Sequence, residues 1–146
     1  KSCLIKKKFV EKDEKEKGLR KVLNLGHTFA HAYESSFNYS KNLNHGEAVL
    51  LGIMTAIKFS FHIKLIKKKD FDLIKKHLQK PEINIQLNKF FSNRDVSKII
   101  NFMKTDKKNT SKKINLVLLR HISKPIYNKN FDHIKIKAFL RRELYN

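Results

Sequence analysis

Apolar residues along this chain recur at helical spacing, and turn formers bound each recurrence. Leu19, Val22, Leu23, Phe29, Ala30 and Tyr33 predict a long helix from Leu19 to about Phe37, opened by Gly18. A polar turn over residues 38–44 follows, and Asn44 is placed to cap the next helix. That helix, about His45 to Ile63, is apolar on nearly every side through Ala48, Val49, Leu50, Leu51, Ile53, Met54, Ala56, Ile57, Phe59 and Phe61, so it belongs in a core. Phe71 to Leu78 reads as a short amphipathic helix stopped by Pro81. Ser92 or Asn93 would cap another, carrying Val96, Ile99, Ile100 and Met103. Ile114 to Leu119, leucine-rich and β-branched, suits one strand or hairpin arm, and Asn130 would cap a final helix to about Leu144. Residues 1–17 hold Cys3-Leu4-Ile5 and Phe9-Val10 amid charge and end in a charged run, Glu11 to Lys17, which reads as a helix or strand end entering an exposed connection. With no internal repeat and no Gly- or Pro-rich linker, residues 1–146 are expected to form one mainly α domain.

Composition narrows the class. At 146 residues and 40% hydrophobic content, the chain is long enough to bury one core. Lys, His or Asn interrupts every apolar run well short of the roughly 20 residues a membrane helix needs. A lone Cys3 makes no internal disulfide, which suits a reducing compartment, and a cytoplasmic location is expected. The chain starts at Lys1 without a signal-like segment, so its start reads as a cut within a longer protein. The net charge of +20 raises a second reading, a basic helical nucleic-acid-binding module, because Lys and Arg neutralise phosphates. Only five of the 33 basic residues are Arg, however, and no aromatic–basic stacking motif accompanies them. Lys, Asn and Ile make up 56 of the 146 residues, and drift toward their A/T-rich codons accounts for the charge without a polyanion partner.

Candidate chemistry lies on the first long helix. At about 100° per residue, with Arg20 at zero, Asn24 falls near 40°, His27 near 340° and His31 near 20°. A guanidinium, a carboxamide and two imidazoles would then share one face flanked by Leu23, Leu25 and Phe29, an arrangement costly to bury unless it binds something. Exposed faces elsewhere in the chain are built from Lys and Glu, and this stripe contains neither. His45-Gly46-Glu47 opens the apolar helix, and imidazole is the commonest zinc-binding side chain, usually one of three protein ligands in a catalytic site. His27 and His31, one turn apart, could also share a metal, so spacing leaves the three histidines' roles open.

The run Arg20-Lys21-Val22-Leu23-Asn24-Leu25-Gly26-His27-Thr28-Phe29-Ala30-His31-Ala32-Tyr33-Glu34, followed by His45-Gly46-Glu47-Ala48-Val49, resembles the signature of the 3-dehydroquinate synthases. The resemblance extends upstream through Cys3-Leu4-Ile5-Lys6 and the stretch Asp13 to Arg20, and downstream to Asp106-Lys107-Lys108, covering most of residues 3–108. Ala30 stands where the family usually has Gly. The resemblance implies the helical C-terminal metal- and substrate-binding domain of a two-domain enzyme, with the N-terminal nucleotide-binding domain outside this chain.

Family members convert 3-deoxy-D-arabino-heptulosonate 7-phosphate to 3-dehydroquinate and phosphate in the shikimate pathway, through transient oxidation with NAD, phosphate elimination, re-reduction and aldol closure. By the resemblance, His27 and His45 are two of three protein ligands to zinc, or to another divalent cation such as cobalt. Glu16 and His31 are proton acceptors or relays. Lys6, Arg20, Asn24 and a lysine of the pair Lys107 and Lys108 hold substrate carboxylate or phosphate. No Gly-rich strand–turn–helix suited to a pyrophosphate occurs here, and no carboxylate matches the family's third ligand, so both are expected before residue 1. NAD is then bound mainly by the absent domain, the isolated chain is not expected to turn over substrate, and the whole enzyme is expected to be a homodimer. The nearest alternatives are a related sugar-phosphate cyclase and a metal-dependent polyol dehydrogenase. Arg20 and Asn24 with Lys6 favour an acidic, phosphorylated substrate over a neutral polyol.

Overall fold

The computed structural model describes residues 2–78, 86–105 and 112–145. Its helices are α1 (Ser2–Lys12), α2 (His27–Ser36), α3 (His45–His62), α4 (Lys68–Leu78), α5 (Val96–Thr105) and α6 (His133–Tyr145), and a two-stranded antiparallel hairpin, β1 (Lys113–His121) and β2 (Lys124–Asp132), lies between α5 and α6. The mainly α expectation holds. The expected stop at Pro81 and the loop at Asp106 to Asn109 fall outside the described residues.

Local sequence sets several of these boundaries. The Asn44 side chain accepts from the Glu47 amide at 3.0 Å while the Glu47 carboxylate accepts from the Asn44 amide at 3.0 Å, a reciprocal cap on α3 worth about 1 kcal/mol. Ser92 ties itself to Asp95 through its amide and hydroxyl, at 2.8 and 2.9 Å, in the turn that enters α5. Along β1, Ile114, Leu116 and Leu118 are buried on the face toward the helices, the period-two pattern of a half-covered strand.

Two boundaries differ from the sequence reading. The stretch from Leu19 is a 3₁₀ segment, Leu19–Asn24, and α2 starts only at His27, so Arg20 and Asn24 do not share a helix with His27 and His31. Gly26 makes the break, in the left-handed region at φ 79°. A Cβ on Gly26 would stand 2.4 Å from the Ile53 backbone nitrogen, and one on Gly52 would stand 2.4 Å from the Gly26 carbonyl oxygen, so this pair lets α2 and α3 cross backbone against backbone. The second difference concerns Asn130, which lies in β2 opposite Asn115 and does not cap a helix. Asp132 caps α6 instead, accepting from the Ile134 amide at 2.8 Å.

The core forms where α2, α3, α5, β1 and α6 meet, around Phe29, Tyr33, Leu51, Phe59, Ile99, Met103, Ile114, Leu118 and Phe139. The buried hydroxyls of Tyr33, Thr55 and Ser60 are paired inside it. The Tyr33 hydroxyl meets Thr55 Oγ1 at 2.9 Å, and Ser60 Oγ donates to the Ala56 carbonyl while accepting the Leu119 amide at 3.2 Å, which ties α3 to β1. This packing anchors α2 and the start of α3, the two elements that carry the histidines.

Candidate functional site

The connection from α1 to α2 is built around one carboxylate. Asp13 accepts the backbone amides of Lys17, Gly18 and Arg20 at 2.9, 2.8 and 3.0 Å. These donors, that of Arg20 foremost, hold the Asp13 carboxyl below its ordinary range. The stretch that follows α1, from Asp13 to Arg20, is therefore a largely exposed turn tied to one carboxylate. Within it Glu16 takes a left-handed backbone, φ 51°, and its carboxylate accepts the Asn24 amide group at 2.5 Å. Arg20 Nη1 donates to the Glu14 carbonyl at 2.8 Å, which fixes the guanidinium against the same turn.

Two adjoining cavities open beside this turn. The larger, of about 1040 Å³, is lined by Glu16, Asn24, His27 and His31, with Thr28, Asn115, Tyr127 and Asn128 also in its lining. The smaller, of about 570 Å³, is lined by Ile5, Lys6, Glu16, Arg20, Leu23, Asn24 and His27. Tertiary folding thus gathers Lys6, Glu16, Arg20, Asn24, His27 and His31 around one double cleft, although no single helix face does so. Lys107 and Lys108 lie outside the described residues.

The histidines differ in environment. His27 is half-buried, its Nδ1 is buried without a hydrogen-bond partner, and its ring lies 5.9 Å from that of His31. Burial is the main cause that lowers the His27 pKa, the Leu25 carbonyl opposes it, and positive charge on His31 or His45 lowers it further. A neutral imidazole is favoured, the form a metal requires. His45 is exposed at the start of α3 and sits outside the lining of both cavities, but its Nδ1 lies 2.8 Å from Glu34 Oε1. The other oxygen of Glu34 lies 3.6 Å from His31 Nδ1. Among the described residues, no group of three or more His, Cys, Asp and Glu side chains could by itself hold a metal ion.

Sequence reasoning assigned no role to Glu34, although its position three residues after His31 on a helix was a legible signal. One arm of the hairpin, Ile114 to Leu119, was legible in the sequence, but its place at the site was not. Lys21 Nζ donates to Asn128 Oδ1 at 2.9 Å and Thr28 Oγ1 donates to the Asn115 carbonyl at 3.3 Å, so β1 and β2 form a wall of the larger cleft. No local pattern announces that wall.

Fold and site together define a mainly helical domain with a histidine–carboxylate cleft. The fold is shared with two solved structures of 2-deoxy-scyllo-inosose synthase. One, complexed with carbaglucose-6-phosphate, NAD+ and Co2+, superposes with a TM-score of 0.68 at 24% identity over 87% of this chain and 35% of that one. The other gives 0.64 at 26% identity over 88% and 33%. Residues 1–109 match the model of the family described as 3-dehydroquinate synthase C-terminal, and the chain belongs to that family. It is 54% identical over 143 residues to the 3-dehydroquinate synthase of Pelagibacter ubique (strain HTCC1062), covering 98% of this chain and 39% of that enzyme. With the 3-dehydroquinate synthase of Endomicrobium trichonymphae the identity is 39% over 138 residues, covering 94% of this chain and 37% of that one. The chain therefore spans about two-fifths of the length of these curated relatives.

Proposed function

We propose that this chain is the metal- and substrate-binding part of a 3-dehydroquinate synthase, a phosphorus–oxygen lyase of the shikimate pathway. The whole enzyme would turn 3-deoxy-D-arabino-heptulosonate 7-phosphate into 3-dehydroquinate and phosphate in the cytoplasm. The observation that carries the reading is the convergence of Lys6, Glu16, Arg20, Asn24, His27 and His31 on one double cleft in a chain of this family. Such a cleft suits a polar, anionic substrate: Lys6 and Arg20 supply cationic donors, and the Asn24 amide supplies a neutral one. Lys107 or Lys108 would add a further cation.

His27 and His45 would hold a divalent cation, zinc or cobalt, together with a carboxylate supplied from outside this chain. His27 fits that role because its buried Nδ1 has no partner and its neutral form is favoured. When bound, the cation supplies charge that acidifies a substrate hydroxyl, and NAD, held mainly by an N-terminal nucleotide-binding domain, supplies the redox chemistry. The chain's own residues then do the positioning and proton handling. Glu16, aimed by Asn24 and by the turn that Asp13 ties, and His31, on the first turns of α2, face the cleft where protons must be taken up and returned.

The test is phosphate release from the keto-sugar acid phosphate by the full-length protein. Activity should require NAD and a divalent cation and should be lost to a chelator, whereas the 146-residue chain alone should neither bind NAD nor release phosphate. A full-length protein that is inert toward this substrate but active on a neutral polyol would refute the proposal.

A further inference from the structure

Glu34 is the only carboxylate among the described residues that lies within ion-pair distance of two histidines, and the proton-handling scheme above leaves it without a role. Its side chain is 9% exposed, whereas those of His31 and His45 are 58% and 69% exposed, so the carboxylate is the fixed member of the trio. Burying a carboxylate is unfavourable unless donors satisfy it. His45 Nδ1 at 2.8 Å is within hydrogen-bond range, and His31 Nδ1 at 3.6 Å is near enough for charge attraction but too far for a hydrogen bond.

We propose that Glu34 is a positioning residue that holds His45 in its Nδ1–H tautomer and so presents the Nε2 lone pair as a ligand. An ionised carboxylate only accepts, so the proton of the 2.8 Å contact must sit on His45 Nδ1, and the neutral ring then carries its free lone pair on Nε2. A carboxylate behind a metal-binding imidazole also raises its basicity and fixes its plane, and loss of such a partner typically costs about 10- to 100-fold in metal affinity. His45 needs that support because it is exposed at the first position of α3, where little packing restrains its ring. The second oxygen of Glu34 faces His31, so one buried group sets the relative position of the proposed metal ligand and the proposed proton carrier. The inference deepens the metal-site reading above and rests on it for the metal, while the tautomer claim stands on the contact alone.

The experiment uses the full-length protein, ¹⁵N-labelled at histidine, as wild type, Glu34→Gln and Glu34→Ala. Ring-nitrogen shifts report the tautomer without metal, and competition with a chelator gives the dissociation constants for Zn2+ and Co2+. Wild-type His45 should carry its proton on Nδ1. In Glu34→Ala that tautomer should give way to the mixture of a free imidazole, and metal affinity should fall about 10- to 100-fold. Glu34→Gln, which keeps the shape and loses the charge, should fall between the two. A wild-type His45 protonated on Nε2 would overturn the proposal, and this needs no variant to fold. So would a tautomer and an affinity unchanged in both variants. If wild type binds neither cation, the metal reading fails, and the ring-nitrogen shifts still decide whether Glu34 sets the tautomer.

Discussion

Gly52→Ala isolates the close crossing of α2 and α3. Inside an exposed helix this substitution stabilises by about 1 kcal/mol, because Ala gives up less backbone entropy than Gly. Here the new Cβ would meet the Gly26 carbonyl oxygen at 2.4 Å, the Ala30 nitrogen at 2.8 Å and the Ala30 Cβ at 3.0 Å. Even a favourable C–H···O contact keeps carbon and oxygen roughly 3.3 Å apart, so the two helices would have to separate by about 1 Å. Two of the three atoms met are backbone and cannot swing aside, which puts the cost near the top of the roughly 1–3 kcal/mol range for overpacking. The overpacking wins over the helix propensity, and the net expectation is a loss of about 2 kcal/mol. Urea denaturation of the chain should show a lower midpoint at an unchanged slope. In the full-length protein, metal affinity should fall as well, since α2 carries His27 and α3 begins at His45. A Gly52→Ala protein as stable as wild type, or more stable, would refute the argument.

The remaining expectations concern single side chains. Asp13 has its pKa lowered in the fold, so its contribution to stability is present above its ordinary value of 3.8 and is lost as pH falls through the lower folded value. Asp13→Asn should therefore flatten the acid side of the stability profile below about pH 4, as measured by thermal melting. Tyr33→Phe should cost about 1 kcal/mol in denaturant titration, because the Thr55 hydroxyl already donates to the Leu51 carbonyl and loses its only other buried partner. In the full-length protein, His45→Ala should lose metal and activity together. His31→Ala should keep the metal and lose rate by about 10²–10⁴-fold, as metal content measured beside turnover will show. A metal-free His31→Ala protein beside a metal-replete His45→Ala protein would reverse the two assignments.

What the sequence alone determined is what neighbouring residues can enforce. Asn44 and Glu47, three residues apart, close the cap on α3 whatever else the chain does, and the leucine-rich, β-branched run from Ile114 to Leu119 marks a strand. The family signature from Arg20 to Glu34 and at His45 also stood in the open, because it is local. The tertiary structure decided the rest. Helical periodicity carried α2 back to Leu19, but the chain breaks at Gly26 because Gly52, 26 residues later, brings the α3 backbone against it, and only a residue without a Cβ can sit at φ 79° in that contact. Asn130 had the chemistry of a cap, yet pairing with β1 holds it in a strand and leaves the cap to Asp132. The charged run from Glu11 was legible as a helix end entering an exposed connection, but nothing in it shows that three backbone amides will turn toward Asp13. Arg20 and Asn24 reach the cleft through that folded turn rather than through a shared helix face, and Glu34 meets His45 across the gap between two helices. Such meetings depend on where separate elements come to rest, and a period read along one element carries no information about the distance to another.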